Sequence, residues 1–316
     1  MNYKEVLHYL GIFFLFITFV LGGLLLEGDA LKYVLCALVL SFSVYYLVKL
    51  MLNKKQETHT NNLHIASLFV IYIVMSVLGG FLSLHFITVQ WFASEDLKKN
   101  GNAKLETINS IRSQFNQSVD YATNDLTDKL SSSLEAYINA PRNIKSEKQD
   151  ILVNLYKFDN NQLSSLNQQN IEVNAKTWVR TEITMKLDSC KKIDTELKNY
   201  FNKNKDIFNN MDYFKINKIY YELDSYLINR KKDLEDGFAA VFNKYDNNHT
   251  VFKNLTIPSS TIKLNSFFGL KKQYNSSVPI FLYLIIHILI LFPFFVTFRK
   301  FKKPRPEEDT FTTLVP

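Results

Sequence analysis

The stretch IASLFVIYIVMSVLGGFLSLHFITVQWF, residues 65–92, is apolar almost throughout and is long enough to cross a bilayer as a helix. It opens a longer stretch, His64 to Ala140, whose second part keeps apolar residues at steps of three and four. These residues are Leu97, Leu105, Ile108, Phe115, Val119, Ala122, Leu126, Leu130 and Leu134. This spacing is helical, and no proline occurs before Pro141. We therefore predict a membrane helix that continues as an amphipathic stalk, with Gly101 as the place where the join could loosen.

The stalk sets the expected fold class. At about 1.5 Å per residue, its polar-faced part would reach roughly 60 Å. An apolar stripe this narrow has to be covered by other helices. The composition agrees, because 47% of the 316 residues are hydrophobic while only 9 are Gly and 7 are Pro. We expect an all-α membrane protein with a long helical bundle or coiled coil outside the membrane.

Three further apolar segments are long enough to cross a membrane. They are HYLGIFFLFITFVLGGLLLEG near the start, Leu31 to Leu52, and VPIFLYLIIHILILFPFFVTF at Val278 to Phe298. A cleaved signal peptide is the alternative for the first segment, although its apolar part is long for that role. The predicted organisation is three transmembrane helices in 1–93, an extracytoplasmic helical domain in 94–277, transmembrane helix 4 in 278–298 and a cytoplasmic tail in 299–316.

The short loops predict the orientation. Lys49, Lys54 and Lys55 end the second apolar segment, and five basic residues lie between Arg299 and Arg305. Because positive residues near membrane helices favour the cytoplasmic side, both groups should lie in the cytoplasm. We thus expect a multi-pass membrane protein with both termini in the cytoplasm and residues 94–277 outside it.

The polar middle of the chain should be mostly helical. After Pro141 we predict a second helix, then a loop or frayed turn at DNNQLSSLNQQN (159–170), a third helical pattern from Ile171 to Phe201 and a fourth from Phe214 to Phe242. The partial alternation between Asp246 and Ser277 suits a short β-hairpin. A four-helix core with a small irregular cap fits this order.

Charge and cysteine usage exclude several classes of protein. The net charge is +7, but Lys and Arg are interspersed with Asp and Glu in the middle region, so we expect no nucleic-acid binding. Cys36 lies in a membrane segment and Cys190 in the polar region, so the two cannot form a disulfide. We expect Cys190 to be buried beside Leu187 and Ile193, with pairing to a second copy as the alternative.

No catalytic pattern is found in the chain. It contains no phosphate loop, glycine-rich nucleotide turn, metal-ligand pair or nucleophile elbow. We therefore expect no catalytic residues, no cofactor and no metal site.

Two features of the membrane segments bear on packing. His287 lies near the middle of the last segment, and we expect a neutral ring hydrogen-bonded to Ser, Thr or Tyr of a neighbouring helix rather than a proton path. Small residues should let the helices approach closely. They are Ala37, Ser41, Ser76, Gly79, Gly80 and Ser83.

The tail changes from basic (RKFKKPRP) to acidic (EED) to apolar (TFTTLVP). Its basic part should contact lipid headgroups. We predict that Thr310 to Val315 docks as an extended peptide on a soluble cytoplasmic partner through Phe311, Leu314 and Val315.

The predicted layout has three closely spaced membrane helices, a helical extracytoplasmic region, one last helix and a short cytosolic tail, in an Asn-, Lys- and Phe-rich chain. This layout resembles that of TssN, an inner-membrane component of a type VI secretion trans-envelope complex. The resemblance implies a non-enzymatic, homo-oligomeric scaffold that binds other envelope proteins outside and the baseplate inside. The alternatives are a sensory module whose outer domain binds a ligand and signals to a separate protein, and a channel or transporter subunit.

Overall fold

A computed structural model describes residues 2–57, 62–245 and 250–297. Helix makes up 81% of the structure, and these residues contain no strand. The predicted all-helical fold class is therefore confirmed at this level. The helices are α1 Tyr3–Leu26, α2 Ala30–Gln56, α3 Asn62–Thr88, α4 Ser94–Ile138, α5 Arg142–Asn154, α6 Asn160–Ser164, α7 Ile171–Lys186, α8 Asp188–Asn204, α9 Ile216–Phe242, α10 Phe267–Gln273 and α11 Val278–Val296.

The chain forms two compact units. The apolar unit comprises the described residues of Met1–Asp96, Tyr213–Asn217 and Ile262–Pro316, and the polar unit comprises Leu97–Asp212 and Lys218–Thr261. Four helices are long and apolar enough to cross a membrane, and they correspond to the four predicted segments. They are α1, α2, the helix that begins with α3, and α11.

The apolar unit is a bundle of α1, α2, α3 and α11, in which α1 contacts the other three. The predicted close packing at small residues is present, since the side chains of Leu40 and Tyr283 lie directly over Gly79 and Gly80. Gly22 of α1 was not predicted to take part. A Cβ there would overlap the carbonyl group of Leu82, so this crossing of α1 and α3 requires glycine.

The apolar stripe of α4 is buried by the chain itself. Of the nine predicted stripe residues, only Val119 is half-buried, and the other eight are at most 3% exposed. Side chains from α8 and α9 contact α4, for example through the ion pair between Arg112 Nε and Asp194 Oδ1 at 2.8 Å. A second copy of the chain is therefore not needed to cover the stripe.

The helix does not loosen at Gly101, as the sequence suggested it could. Gly101 is buried, and the ring of Phe208 lies so close that a Cβ would overlap it, so the glycine serves packing. The departure from α-helical geometry comes earlier, in a π-helical segment at Val89–Ala93 between α3 and α4.

Two local predictions are wrong, and a third is incomplete. No hairpin forms between Thr250 and Ser277, and the segment is irregular before α10. The alternating pattern is short and has no neighbouring strand to pair with. Residues 246–249 of the predicted hairpin lie outside the described residues. The predicted loop at 159–170 contains α6, whose start is stabilised by reciprocal hydrogen bonds between Asp159 and Gln162. The third pattern is two helices that break at Leu187, and Leu187 stays buried across the break.

Cys190 is buried, as predicted, and lies against Gly237 of α9. Burial raises the pKa of its thiol, which keeps the sulfur protonated and unreactive. The alternative of pairing with a second copy would require this contact to open.

Candidate functional site

The first candidate site is a polar cluster around His287 inside the apolar unit. His287 is 7% exposed, and its Nδ1 lies 2.6 Å from the hydroxyl oxygen of Tyr72 on α3. The hydroxyl of Ser76 lies 3.4 Å from the same nitrogen, and the Tyr283 hydroxyl donates to the Ser76 carbonyl at 2.5 Å. The expected kind of partner for His287, a hydroxyl of a neighbouring helix, is therefore present.

Away from this cluster, hydrogen bonds also join α1 to α3 and α1 to α11. The Thr18 hydroxyl of α1 donates to the Ser83 hydroxyl of α3 at 3.0 Å. Nδ1 of His8 lies 2.6 Å from the carbonyl oxygen of Ile290 on α11. Together with the bond between Tyr72 and His287, these bonds connect the three helices α1, α3 and α11 pairwise.

The chemistry available around His287 is limited. Neither α3 nor α11 contains Asp, Glu, Lys or Arg, and Nε2 of His287 has no hydrogen-bond partner among the described residues. A proton relay requires a chain of groups that exchange protons, whereas the groups hydrogen-bonded to Nδ1 are the hydroxyls of Tyr72 and Ser76. The arrangement is suited to holding α3 against α11.

A second polar cluster lies in the polar unit, around Lys104 of α4. The Lys104 side chain is fully buried, and its Nζ lies 2.6 Å from Oδ1 of Asp224 on α9. The ammonium group also donates to the Ser260 hydroxyl and, at 3.3 Å, to the Tyr220 carbonyl. It lies 4.3 Å from the centre of the Tyr220 ring, within the range of a cation–π contact.

Ser260 completes this cluster from an irregular segment. Its backbone N–H and its hydroxyl both donate to Oδ2 of Asp224, at 3.1 and 2.9 Å. Lys104, Asp224 and Ser260 thus attach the segment before α10 to α4 and α9. Burial lowers the pKa of Lys104, and the hydrogen bond and charge of Asp224 oppose that effect.

Lys104 was not predicted from the sequence, although the sequence contains a signal for it. Lys104 lies three residues after Gly101 and four before Ile108, so it occupies a position within the buried stripe of α4. A charged residue at such a position needs a buried partner. The partners could not be identified from sequence, because Asp224 and Ser260 are more than a hundred residues away.

The remaining predicted site residues, Phe311, Leu314 and Val315 of the tail, lie outside the described residues. Within the described part of the chain, no group of three or more His, Cys, Asp or Glu residues could hold a metal ion. An open groove of about 340 Å³ lies between α4 and α7 and is lined by Thr123, Thr127, Val179 and Arg180, among others.

No protein-family model matches the chain, and neither a curated protein nor a solved structure is similar enough to count as a match.

Proposed function

We propose that this chain is a non-enzymatic integral scaffold of the inner membrane, part of a trans-envelope assembly of the secretion type. The observation that carries the proposal is the division of the chain into a four-helix apolar unit and an all-helical polar unit whose helices enclose an apolar core. Packed helices of this size can keep a fixed arrangement across a membrane without catalysing a reaction. The layout is also the one that resembles TssN.

In the proposed orientation, both termini lie in the cytoplasm and residues 94–277 lie outside it. The basic residues at the end of α2 support this arrangement, since Lys54 and Lys55 occupy its last turn. Lys55 donates to the Phe294 carbonyl at 2.5 Å, so the ends of α2 and α11 lie on the same side of the bundle.

One groove of the polar unit, between α4 and α7, bears on the sensor alternative. The groove between α4 and α7 is open, so a ligand there would keep much of its surface in water, whereas small-molecule sites enclose most of their ligand. The buried Lys104 group is already paired within the chain. A scaffold needs only the outer surfaces of these helices.

The experiment is affinity isolation of the tagged full chain from native membranes in mild detergent, after brief crosslinking. We expect several copies of the chain together with other envelope proteins. A variant that lacks 310–316 but keeps the basic anchor should retain the envelope proteins and lose a soluble cytoplasmic partner. Recovery of a single uncomplexed copy from crosslinked membranes would contradict the proposal.

A further inference from the structure

Exposed aromatic rings gather at one end of the apolar unit, where α3 passes into the π-helical segment. Trp91 of that segment is 63% exposed, Phe214 is 65% exposed and Phe268 of α10 is 72% exposed. Large apolar side chains this exposed are unfavourable in water when they occur together.

Contacts with α3 hold these rings at a common level. The Phe268 ring centre lies 6.1 Å from that of Phe81, and Tyr213, the neighbour of Phe214, packs on Phe86 at 5.6 Å. Tyr213 also donates a hydrogen bond to the side chain of Gln90. The contacted residues 81–90 span only about 14 Å of helix axis, so the rings lie at a similar level along the helix, and we call them the collar.

α10 adds positive charge to this collar. Lys271 and Lys272 lie in its last turn and are exposed, and Lys263 packs against Gly269. On the opposite side of the helix, Leu270 is fully buried. The helix is fixed at its end, where the Tyr274 hydroxyl donates to Asp96 Oδ2 at 2.7 Å.

This combination matches the boundary between the lipid chains and the headgroups of a bilayer. Aromatic side chains concentrate at that level, and lysines extend from it toward the headgroups. The collar is also continuous with the exposed apolar face of α3, where Leu78 is 65% exposed. Exposed rings beside an apolar face are unfavourable in water, so this surface fits a lipid boundary better than an aqueous one.

We propose that α10, Trp91 and Phe214 form a lipid-contact surface, in which the rings enter the bilayer boundary and Lys271 and Lys272 bind the phosphate groups of anionic phospholipids. Each lysine close to an anionic membrane surface strengthens binding to that surface by roughly fivefold. The surface would fix the depth of the apolar unit in the membrane and enrich anionic lipid beside α10.

The test places a reporter in α10 of the full chain. The two native tryptophans are replaced (Trp91→Phe and Trp178→Phe), Phe268→Trp is added, and the protein is reconstituted in vesicles that contain brominated lipid, which quenches nearby indole. A matched control carries Tyr121→Trp in the same background, since Tyr121 of α4 is 68% exposed but belongs to the polar unit.

We expect strong quenching at position 268 and little at position 121. Brominated phosphatidylglycerol should quench position 268 more than brominated phosphatidylcholine at the same mole fraction. The double variant Lys271→Gln and Lys272→Gln should bring the ratio of quenching by phosphatidylglycerol to quenching by phosphatidylcholine close to one. The double variant Lys203→Gln and Lys205→Gln in the polar unit should leave this ratio unchanged.

Two results would overturn the proposal. Quenching at 268 as weak as at 121 would show that α10 faces water, a second copy or another protein. Equal quenching by the two lipids in the chain with its lysines intact would refute the binding of anionic headgroups.

Discussion

The ammonium nitrogen of Lys104 lies 2.6 Å from Oδ1 of Asp224, and the two side chains differ greatly in burial: Lys104 is 0% exposed and Asp224 is 29% exposed. The loss of one partner therefore has unequal consequences. Without Lys104, the partly exposed Asp224 carboxylate still accepts two hydrogen bonds from Ser260. Without the Asp224 charge, the ammonium group stays buried and keeps only neutral partners.

We predict that Asp224→Asn destabilises the polar unit more than Lys104→Met does. Removing one partner of a buried ion pair costs about 3–5 kcal/mol, and the cost for Lys104→Met should fall below that range because Asp224 is partly hydrated. Urea unfolding in detergent, followed by the fluorescence of Trp178 in a Trp91→Phe background, measures both changes. Equal losses would show that the ammonium group is not the costly member of the pair.

Glu182 provides a prediction for acid pH. Its burial acts to raise the pKa, but hydrogen bonds from Lys186 and Lys244 dominate and hold the pKa of Glu182 below its usual value. A carboxylate with a lowered pKa contributes stability above its unfolded value, near 4.5, and the contribution disappears as the pH falls through the folded value.

Glu182→Gln should therefore lower the stability of the polar unit by about 1 kcal/mol at pH 7, a size typical of a partly exposed ion pair. The difference between the variant and the natural chain should close as the pH falls below 4.5. The same Trp178 measurement at a series of pH values checks this, with Glu172→Gln as the exposed control. A difference that persists unchanged into strong acid would contradict the assignment.

Packing of α1 against α3 should depend on Gly22. Because a Cβ at this position would overlap the Leu82 carbonyl, Gly22→Val should force the helices apart and lower the thermal stability of the apolar unit by several degrees. Gly28→Asn is the matched control, since Gly28 has open space around it and a φ of +81°, which Asn tolerates. Trp91 fluorescence during heating in detergent, in a Trp178→Phe background, measures the thermal stability of both variants. An equal loss of stability in the two variants would show that the close contact of α1 and α3 at Gly22 is not required.

The His287 cluster should contribute modestly to the bundle. Tyr72→Phe removes the hydroxyl beside Nδ1 and should cost roughly 0.6–1.7 kcal/mol, the range measured for hydrogen bonds between membrane helices. Tyr46→Phe, on an exposed position of α2, should cost almost nothing. Reversible unfolding in mixed micelles compares the two, and a Tyr72→Phe variant as stable as the control would show that the hydrogen bond does not hold α3 against α11.

The sequence predicted the features that depend on local periodicity and failed where long-range contacts decide. Apolar length located the four membrane-type helices, and steps of three and four located the stripe of α4, because a helix places those residues on one face. The break between α7 and α8 at Leu187 was not predicted, because the apolar pattern continues across it. The hairpin was wrong because alternation predicts a strand only when a partner strand is available.

For the candidate sites, too, the sequence predicts local features but not long-range contacts. His287 could be singled out because an apolar segment makes a polar residue conspicuous, and the type of its partner could be anticipated. Its actual partner, Tyr72, and the partners of Lys104 come from distant parts of the chain, so only the folded structure identifies them. The lipid-contact surface likewise depends on the juxtaposition of α10 with Phe81.

The central claim is that the polar unit lies outside the cytoplasm, and site-specific labelling at Gln168 tests it most directly. Gln168→Cys, at an exposed position, is made in a Cys36→Ala and Cys190→Ala background and treated with a membrane-impermeant maleimide in cells whose outer membrane has been permeabilised. We predict that Gln168→Cys reacts in these cells, whereas Lys303→Cys in the tail reacts only after the inner membrane is broken. Reaction of Gln168→Cys only after the inner membrane is broken would contradict the account.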